Sequence, residues 1–505
     1  MEINLVYLVN AGNDAGQSSI ANDHSFPALG VLALGTWLRQ NLQDVEVIAR
    51  DGQVVANDEI KSEIETLKPS VVGVSVLSTS YRNALEIAHA ANGVGAKVVF
   101  GNDQASQLAR RILDYNRGEK LEGEKCPRPV VDFVIGGEYG EKSLELLISS
   151  LRGEKIDMEK IPDLAYRENG MSRGFDYERD KGLLSIVSSP LYMAKSRKDA
   201  LDIFPTVERN LYPLSHWSAY LQNYMSRFSG MHQGEIVTGV TTMNRARGCS
   251  RAKDPCNFCD LKLDISFSSP KRFWQEVEDA HRQIGANIFY EVCDSFSSFP
   301  RFIDDLIKSM PNLGFEPKFF VYAQAIDLVR NTKLVSKLKN MGVFRVNIGL
   351  ESGSDVTIRH MKGKYDSVDN NYRALQMLND AGIHVYGSFV LGSDAETYGT
   401  LRETVAWAKK IMGEGLIADI EAQPLLPLPQ NMQGKKLVQS GLLSQRIMNT
   451  DWPWNTDIIS QTYINNFSGV GYKDTLNAAN EIRDFAKKHR INYGSGVSLT
   501  RNYSQ

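Results

Sequence analysis

Three of the chain's five cysteines, Cys249, Cys256 and Cys259, lie within eleven residues. Thiolates are the ligands that zinc ions and iron–sulfur clusters use in proteins. A zinc site normally has four protein ligands, so three thiolates would need a distant histidine or a bound water. A [4Fe–4S] cluster held by only three thiolates keeps one iron open to a small molecule. The spacing therefore predicts a metal centre and leaves zinc and iron–sulfur as alternatives.

The composition of the whole chain narrows the class of protein. Its 505 residues are 42% hydrophobic and 23% charged, as in ordinary globular proteins of several domains. A formal net charge of -3 gives no indication of a nucleic-acid or anionic-membrane partner. The opening MEINLVYLVN predicts a buried strand and not a signal peptide, and no apolar run is long enough to span a bilayer. Five cysteines do not make a disulfide framework, so we expect a cytoplasmic protein with reduced thiols.

The first part of the chain, residues 1–155, alternates short apolar runs with helical patterns. Apolar strands with helices between them predict a doubly wound parallel sheet of the Rossmann type. Ligands of such sheets bind at the carboxyl ends of the strands. The small residues at these predicted ends are Ser75, Ser78, Thr79, Gly101, Gly136 and Gly137. They predict a ligand groove, although ordinary turns use the same residue types.

The strand–helix alternation resumes in residues 236–430, which contain six units. Six units are too few for a closed eight-stranded barrel, so we expect an open, partial (β/α)6 barrel. Residues 156–235 are less regular and predict a connector, and residues 431–505 predict a mainly helical region that shapes the substrate pocket. The three clustered cysteines follow the first barrel strand, at the end where barrel enzymes keep their chemistry.

The cysteine cluster resembles a known signature. Residues 256–259 read CNFC and resemble half of the radical S-adenosylmethionine (SAM) signature. The wider frame RGC…CNFC resembles the form in radical SAM enzymes that carry a cobalamin (B12)-binding domain. Residues 346–355 (VNIGLESGSD) and 389–397 (FVLGSDAET) resemble the fourth and fifth barrel strands of that superfamily. The usual spacing is CxxxCxxC, whereas six residues separate Cys249 from Cys256, so this loop is longer.

The resemblance implies a [4Fe–4S] cluster on Cys249, Cys256 and Cys259, with one iron open to the amino and carboxylate groups of SAM. The reduced cluster would supply the electron that breaks a C–S bond of SAM, while the protein positions and shields the reaction. Cys293, near the barrel mouth, could be a fourth ligand, but strand cysteines are more often free buried thiols. The implied partners are an electron donor such as flavodoxin or ferredoxin and a small-molecule or peptide substrate, without nucleic acid or membrane.

The same resemblance implies residues that contact SAM. Phe258 would lie against the adenine, and Asp294 and Glu351, at strand ends, would bind the ribose or the amino group. Gly392 and Ser393 would let the backbone approach the adenine, as glycine permits. Loop packing, solvated strand-end acids and a tight turn are the corresponding structural alternatives.

The N-terminal sheet resembles the cobalamin-binding domain of these relatives. It has no DxHxxG segment, so the resemblance implies cobalamin bound without a histidine on the cobalt. Residues 101–106 read GNDQAS where many relatives have GGPHAT, which puts Asn102 and Gln104 at positions of a glycine and a histidine. The larger Asn102 could crowd the nucleotide tail of cobalamin, whereas the small strand-end residues would line it. The alternative is a sheet that only shapes the substrate cavity.

The sequence thus predicts a radical SAM enzyme that uses a [4Fe–4S] cluster to cleave SAM reductively. With cobalamin bound, the expected reaction is methyl transfer to an unactivated carbon or phosphorus. Two alternatives stay open. One is a non-methylating radical rearrangement or cyclisation in the same superfamily, and the other is a zinc-stabilised, non-catalytic binding module.

Overall fold

The structure is a computed structural model. It describes residues 2–14, 25–114, 131–137, 139–169, 171–176, 196–232, 234–259, 265–429, 431–443 and 456–493. The fifth cysteine, Cys126, lies outside the described residues. Within these ranges the strands form two sheets of seven strands and one two-stranded hairpin. No helix in the described part of the chain has the length and apolar character needed to cross a membrane.

The first sheet belongs to the N-terminal part of the chain. Its strands are β1 (Leu5–Asn10), β2 (Glu46–Asp51), β3 (Val71–Ser75), β4 (Lys97–Gly101), β5 (Phe133–Ile135), β6 (Leu164–Glu168) and β7 (Met171–Gly174). Its helices are α1 (Leu29–Asn41), α2 (Asn57–Leu67), α3 (Tyr81–Gly93), α4 (Asn102–Gln107), α5 (Ala109–Asp114) and α6 (Gly140–Leu151). The strand order is β2-β1-β3-β4-β5-β6-β7, and β1 to β5 run parallel. The predicted doubly wound parallel sheet is confirmed.

Strand β1 shows why helices cover both faces of this sheet. Tyr7 and Val9 pack in one apolar core with residues of α2 and α3, whereas Val6 and Leu8 pack in a second core with residues of α1 and α6. Successive side chains of a strand point to opposite faces, so a strand that is apolar at every position needs a cover on each side. The continuous apolar runs of the sequence therefore place two helical layers around the sheet.

The hairpin of β6 and β7 extends the first sheet. β6 pairs antiparallel with β5, and β7 pairs antiparallel with β6. The sheet therefore continues into residues 156–235, which we expected to form a connector. The rest of this segment includes helix α7 (Leu214–Phe228), which packs against the first strand of the second sheet.

The second sheet is the predicted barrel. The remaining strands are β8 (Val240–Met243), β9 (Ala246–Arg247), β10 (Ser266–Phe267), β11 (Ile288–Glu291), β12 (Lys318–Tyr322), β13 (Val343–Glu351), β14 (His384–Leu391), β15 (Asp419–Pro424) and β16 (Asn492–Tyr493). The helices are α8 (Pro270–Ile284), α9 (Pro300–Lys308), α10 (Ala325–Arg330), α11 (Lys333–Asn340), α12 (Asp355–Lys362), α13 (Val368–Asp380), α14 (Tyr398–Gly413), α15 (Met432–Gln439), α16 (Thr456–Phe467) and α17 (Tyr472–Lys488). The strand order is β16-β15-β14-β13-β12-β11-β8, and all neighbours are parallel.

The six predicted barrel strands are all present, so the open, partial barrel is confirmed. The structure adds β16, a two-residue strand from the C-terminal region that pairs with β15. A strand of two residues is too short to show a period in the sequence. Strands β9 and β10 form a separate antiparallel hairpin around the loop that carries the cysteines.

Aromatic side chains from the barrel strands, α7 and the segment before α1 form one buried cluster. Phe26, from the segment that precedes α1, lies against Tyr224 of α7 with ring centroids 5.4 Å apart, and against Tyr290 of β11 at 5.1 Å. The Thr242 hydroxyl donates a hydrogen bond to the Pro27 carbonyl at 2.7 Å. The N-terminal part of the chain thus reaches into the barrel, and space for a ligand remains at the carboxyl ends of the strands.

A buried arginine attaches the connector to the barrel. Arg209 is fully buried; its guanidinium donates from Nη1 to Glu276 Oε1 (2.7 Å), from Nε to Thr241 Oγ1 (2.9 Å) and from Nη2 to the Thr242 carbonyl (3.0 Å). Burial alone would raise the pKa of Glu276, but the guanidinium groups of Arg209 and Arg272 hold it below its ordinary value. Every donor has a partner, as a buried charge requires.

We predict that Arg209→Ala lowers the free energy of unfolding by about 3–5 kcal/mol, because the buried Glu276 keeps only Arg272 as a cationic partner and two further acceptors lose their donor. The matched control is Arg39→Ala, which removes a half-exposed pair with Glu208 and should cost about 1 kcal/mol or less. Urea unfolding followed by tryptophan fluorescence measures both variants. Equal losses for Arg209→Ala and Arg39→Ala would show that the buried network contributes no more than a surface pair.

Candidate functional site

The cysteine loop, residues 248–259, follows β8 and β9 at the carboxyl-end mouth of the barrel. Cys249, Cys256 and Cys259 are each half-buried. Within the described ranges, no three His, Cys, Asp or Glu side chains are gathered closely enough to hold one metal ion. The described part of the loop therefore has no ligand set for a single ion. In a [4Fe–4S] cluster, by contrast, each thiolate binds a different iron.

Turns inside the loop orient the first two cysteines. The Ala252 N–H donates to the Cys249 carbonyl at 3.1 Å, and the Cys259 N–H donates to the Cys256 carbonyl at 3.1 Å. The Arg251 N–H points at Cys249 Sγ at 3.4 Å. Burial raises the pKa of the Cys249 thiol, and this N–H opposes the rise because it stabilises the thiolate. The thiolate is the form that binds metal.

The loop is anchored on the C-terminus of α12. The Asn257 N–H donates to the Met361 carbonyl at 3.0 Å, and Asn257 Nδ2 donates to the His360 carbonyl at 2.8 Å. Arg251 Nη2 donates to the Lys362 carbonyl. The last carbonyls of a helix have no partner inside it, so they are available to hold a neighbouring loop.

The longer segment between Cys249 and Cys256 contains an arginine, which brings a positive charge to the site. Arg251, in the additional part of the loop, forms an ion pair with the buried Asp366, with Nη1 and Oδ2 3.2 Å apart. Burial raises the pKa of the Cys256 thiol, and the positive charges of Arg251 and Lys362 oppose that rise. The environment of Cys256 thus favours a bound thiolate more than burial alone would.

Glu351 lies close to this cation pair. It ends β13 with φ +60°, a left-handed conformation that is strained for a glutamate. Its carboxylate turns back toward Lys362, whose Nζ lies 3.6 Å from Oε1. A Cβ at Gly349 would come within 2.2 Å of the same oxygen, so only glycine leaves room for it. Burial raises the pKa of Glu351, and Lys362 opposes the rise.

Asp294 and Phe258 have different surroundings. Asp294 follows β11, is exposed and lines a cavity at the barrel mouth. Its charge raises the pKa of Cys249, which shows that the two side chains are near each other. Phe258 is half-buried and packs against the barrel core, and its carbonyl accepts a hydrogen bond from Asn431 Nδ2 at 2.8 Å.

Gly392 and Ser393 face the C-terminal region. The Gly392 N–H donates to Glu396 Oε2 at 2.5 Å, and Ser393 also bonds this carboxylate through its backbone. Gly392 has φ +91°, and a Cβ there would meet Ile464 of α16 at 2.7 Å. The Ser393 hydroxyl is buried with no hydrogen-bond partner among the described residues. The close packing on α16 and the positive φ explain why residue 392 is a glycine. The Ser393 hydroxyl remains available to hydrogen-bond a ligand.

Cys293 has the surroundings of a buried thiol. It is fully buried between Ala246 and Phe267, and its sulfur lies 3.6 Å from Arg245 Nη2. Burial raises its pKa to about 12. A thiol with such a raised pKa stays protonated, so a packing role fits Cys293 better than the role of a fourth metal ligand.

Residues from both seven-stranded parts of the fold line one cavity. It has a volume of about 570 Å³, within the range of roughly 300–1,000 Å³ that ligand sites occupy. The carboxyl ends of the N-terminal strands contribute Ser75, Gly101 and Gly137 to its wall, and Asp294 contributes from the barrel. Gly137 has φ +73°, a conformation that glycine adopts without strain.

The other three predicted strand-end residues have different neighbours. Ser78 Oγ donates to Gln104 Oε1 at 2.7 Å, and Thr79 Oγ1 donates to Asn13 Oδ1 at 3.0 Å. A Cβ at Gly136 would lie 2.3 Å from a ring carbon of Phe175. Ser78 and Thr79 therefore tie the neighbouring loops together, and Gly136 leaves room for an aromatic ring in the core.

Asn102 takes the backbone conformation that a glycine would supply. Its φ is +74°, and asparagine is among the residues that adopt this region most readily after glycine. Asn102 Nδ2 donates to Ser75 Oγ at 3.0 Å, so its side chain lies along the neighbouring strand end. The predicted crowding by Asn102 is thereby limited, and the cavity remains open beside it.

Sequence reasoning missed most residues of the cavity wall, including several polar side chains of the barrel. Asn244, Arg247, Tyr290 and Tyr322 line it from the barrel side, and the Tyr290 and Tyr322 hydroxyls share a hydrogen bond. Both tyrosines lie at or next to the carboxyl end of a barrel strand. The rule that ligands bind beyond these ends would have included them.

The fold combines a doubly wound sheet and a partial barrel, and residues of both line one cavity. The B12 binding domain family matches residues 20–126, and the radical SAM superfamily matches residues 243–408. Residues 243–408 are therefore a radical SAM domain, and residues 20–126 are a B12-binding domain.

Individual relatives agree with this assignment. An anaerobic magnesium-protoporphyrin IX monomethyl ester cyclase of Rubrivivax gelatinosus is 23% identical over 80% of this chain, and the chain spans only 65% of that protein. An uncharacterised methyltransferase of Pyrococcus horikoshii is 22% identical over 86% of this chain and 82% of its own length. The fold is shared with the radical SAM methyltransferase TsrM from Kitasatospora setae, whose structure contains cobalamin and a [4Fe–4S] cluster. The TM-score is 0.66 at 14% sequence identity, and the match covers 98% of this chain and 94% of that chain.

The two domains imply the cofactors: a [4Fe–4S] cluster and SAM for the barrel, and cobalamin for the sheet. The residues present fit these groups. The barrel mouth has three half-buried thiols beside two cations and an unpartnered Ser393 hydroxyl. The sheet has a strand-end cavity walled by small residues. The radical SAM domain also favours the iron–sulfur interpretation of the cysteines over the zinc-stabilised module.

We predict that Arg251→Ala weakens cluster retention, because the loop loses its contacts with α12 and Asp366 is left buried without its cation. Iron release to a chelator should become about tenfold faster or more, as for other residues that orient metal ligands. Loss of visible absorbance under anaerobic conditions measures the rate. Lys253→Ala, an exposed change in the same loop, is the control and should release iron at the wild-type rate. Unchanged release from Arg251→Ala would contradict the anchoring role.

Proposed function

We propose that the protein is a cobalamin-dependent radical SAM methyltransferase that transfers a methyl group to an unactivated carbon or phosphorus atom. The observation that carries this proposal is the single cavity whose wall comes from the strand ends of both sheets. A methyl group held on the sheet side and a substrate held on the barrel side would share one cavity. Transfer between them would need no passage through solvent.

In this proposal the three cysteines of the loop hold the cluster. When bound, the cofactors supply the electron, the radical and the methyl carrier. Phe258 would lie against the adenine of SAM, and Gly392 and Ser393 would bound the same pocket. Glu351, beside Lys362, and Asp294, which lines the cavity, would accept hydrogen bonds from the ribose or the amino group.

The sheet side of the cavity has a different task. Ser75, Gly101 and Gly137 give a large cofactor access to the strand ends, and Ser78, Thr79 and Gly136 support the surrounding loops and core. Apolar residues of the sheet and its helices line the deeper part of the cavity: Leu8, Leu34, Val74, Val99, Ile135 and Leu144. Such a lining excludes water, which protects reactive intermediates from side reactions.

The share of each relative's length that this chain spans favours methyl transfer over cyclisation. This chain spans 82% of the methyltransferase from Pyrococcus horikoshii but 65% of the cyclase from Rubrivivax gelatinosus. The cyclase similarity is nevertheless a specific observation, so a non-methylating radical cyclisation is the second candidate. In either case we propose a small-molecule or peptide substrate.

The products formed from SAM distinguish the two reactions. With reduced cluster, cobalamin and SAM but no substrate, a methyltransferase should release S-adenosylhomocysteine in an amount stoichiometric with the bound cobalamin. Liquid chromatography with mass spectrometry measures this product in anaerobic mixtures, and protein prepared without cobalamin is the control. Release of 5′-deoxyadenosine without any S-adenosylhomocysteine would contradict methyl transfer and favour the cyclisation.

We predict that Ser75→Leu blocks cobalamin binding. The added bulk enters the cavity wall at a cost of roughly 1–3 kcal/mol, and the hydrogen bond from Asn102 is lost. Ser62→Leu, on the exposed face of α2, is the matched control and should bind cobalamin normally. Cobalamin retained after gel filtration and iron per chain measure the two sites separately. Full cobalamin retention by Ser75→Leu would place the cofactor elsewhere.

A further inference from the structure

An exposed aromatic ring lies between two cations on the surface beside the cysteine loop. Tyr365 is 60% exposed, although large apolar side chains are usually covered. Arg330 Cζ lies 5.1 Å from the centroid of its ring, and Lys364 Nζ lies 5.0 Å from it. We call these three residues the Tyr365 patch.

The charges of the Tyr365 patch are not neutralised within the described chain. Arg330 and Lys364 are exposed, and neither forms an ion pair with a carboxylate among the described residues. Most other cations near this part of the barrel are paired. Arg251 binds Asp366, Arg359 binds Asp355 and Lys362 faces Glu351. In a chain with a formal net charge of -3, an unpaired positive patch around an exposed ring is a distinct local feature.

The segment 362–366 connects this patch to the cysteine loop. The Lys362 carbonyl accepts a hydrogen bond from Arg251, and Asp366 pairs with the same guanidinium. A Cβ at Gly363 would lie 3.6 Å from Arg251 Nη2. The patch therefore lies on the outer side of the segment whose inner side faces the proposed cluster ligands.

We propose that the Tyr365 patch is the docking surface of a small acidic one-electron carrier protein that reduces the cluster. The carrier loses one electron and the cluster gains it, with no bond made or broken. An acidic carrier would neutralise Arg330 and Lys364, and Tyr365 would bury its ring in the contact. Tyrosine and arginine are the residues that most often dominate such contacts, and charge complementarity speeds the encounter. The inference rests on the radical SAM reaction of the proposed function, but not on methyl transfer.

The test compares two reductants on the holoenzyme in anaerobic stopped-flow experiments. Reduced flavodoxin is the acidic carrier, and the methyl viologen radical cation is a reductant that needs no acidic contact. In Arg330→Glu and Lys364→Glu, cluster reduction by flavodoxin should be about tenfold slower or more at low salt, and the difference should shrink as salt rises. Reduction by methyl viologen should not be slowed. Lys488→Glu, an exposed change at the end of α17, is the matched control and should behave as wild type.

Each outcome decides the proposal. Wild-type rates with flavodoxin in both patch variants would overturn it, as would an equal slowing with methyl viologen or a loss of iron, because these changes indicate a structural role. Wild-type protein that methyl viologen reduces but flavodoxin does not would overturn the acidic carrier. If the flavodoxin result is as expected and no S-adenosylhomocysteine forms, the docking surface stands and only methyl transfer fails.

Discussion

The ion pair between Arg247 and Glu141 joins the two halves of the site, with Nη2 and Oε1 2.5 Å apart. Arg247 immediately precedes the cysteine loop, and Glu141 lies in the first turn of α6 beside the N-terminal sheet. The guanidinium also lies over the rings of Tyr139 and Phe204, at 5.2 and 4.8 Å. Because this contact is largely buried, it keeps the carboxyl ends of the two sheets facing each other. The common cavity, and with it any transfer between two cofactors, depends on that arrangement.

The cysteine loop shows how an unusual spacing is accommodated. The additional residues between Cys249 and Cys256 do not extend freely into solvent, since Arg251 ties them to the end of α12 and to Asp366. The same residue directs its N–H at Cys249 and its charge toward Cys256. A longer loop thus gains an internal anchor, and the proposed ligands are held by a helix end and not by the loop alone.

The proposed sites of methyl transfer and of electron entry use different residues. The cavity is lined by residues of the N-terminal sheet and the barrel, including Arg247 just before the cysteine loop, whereas no residue of the Tyr365 patch lines it. An electron carrier could therefore dock without displacing cobalamin or substrate.

The sequence by itself determined the two sheets, the cysteine loop and the superfamily, because apolar periodicity and ligand spacing are local properties of the chain. It could not separate Gly137, which lines the cavity, from Gly136, which accommodates Phe175, since adjacent glycines look alike until their neighbours are known. Nor could it show that Asn102 adopts a left-handed backbone and leaves the cavity open. Those features, like the pairing of Arg251 with Asp366, were decided by the tertiary structure, because they depend on contacts between residues far apart in the chain.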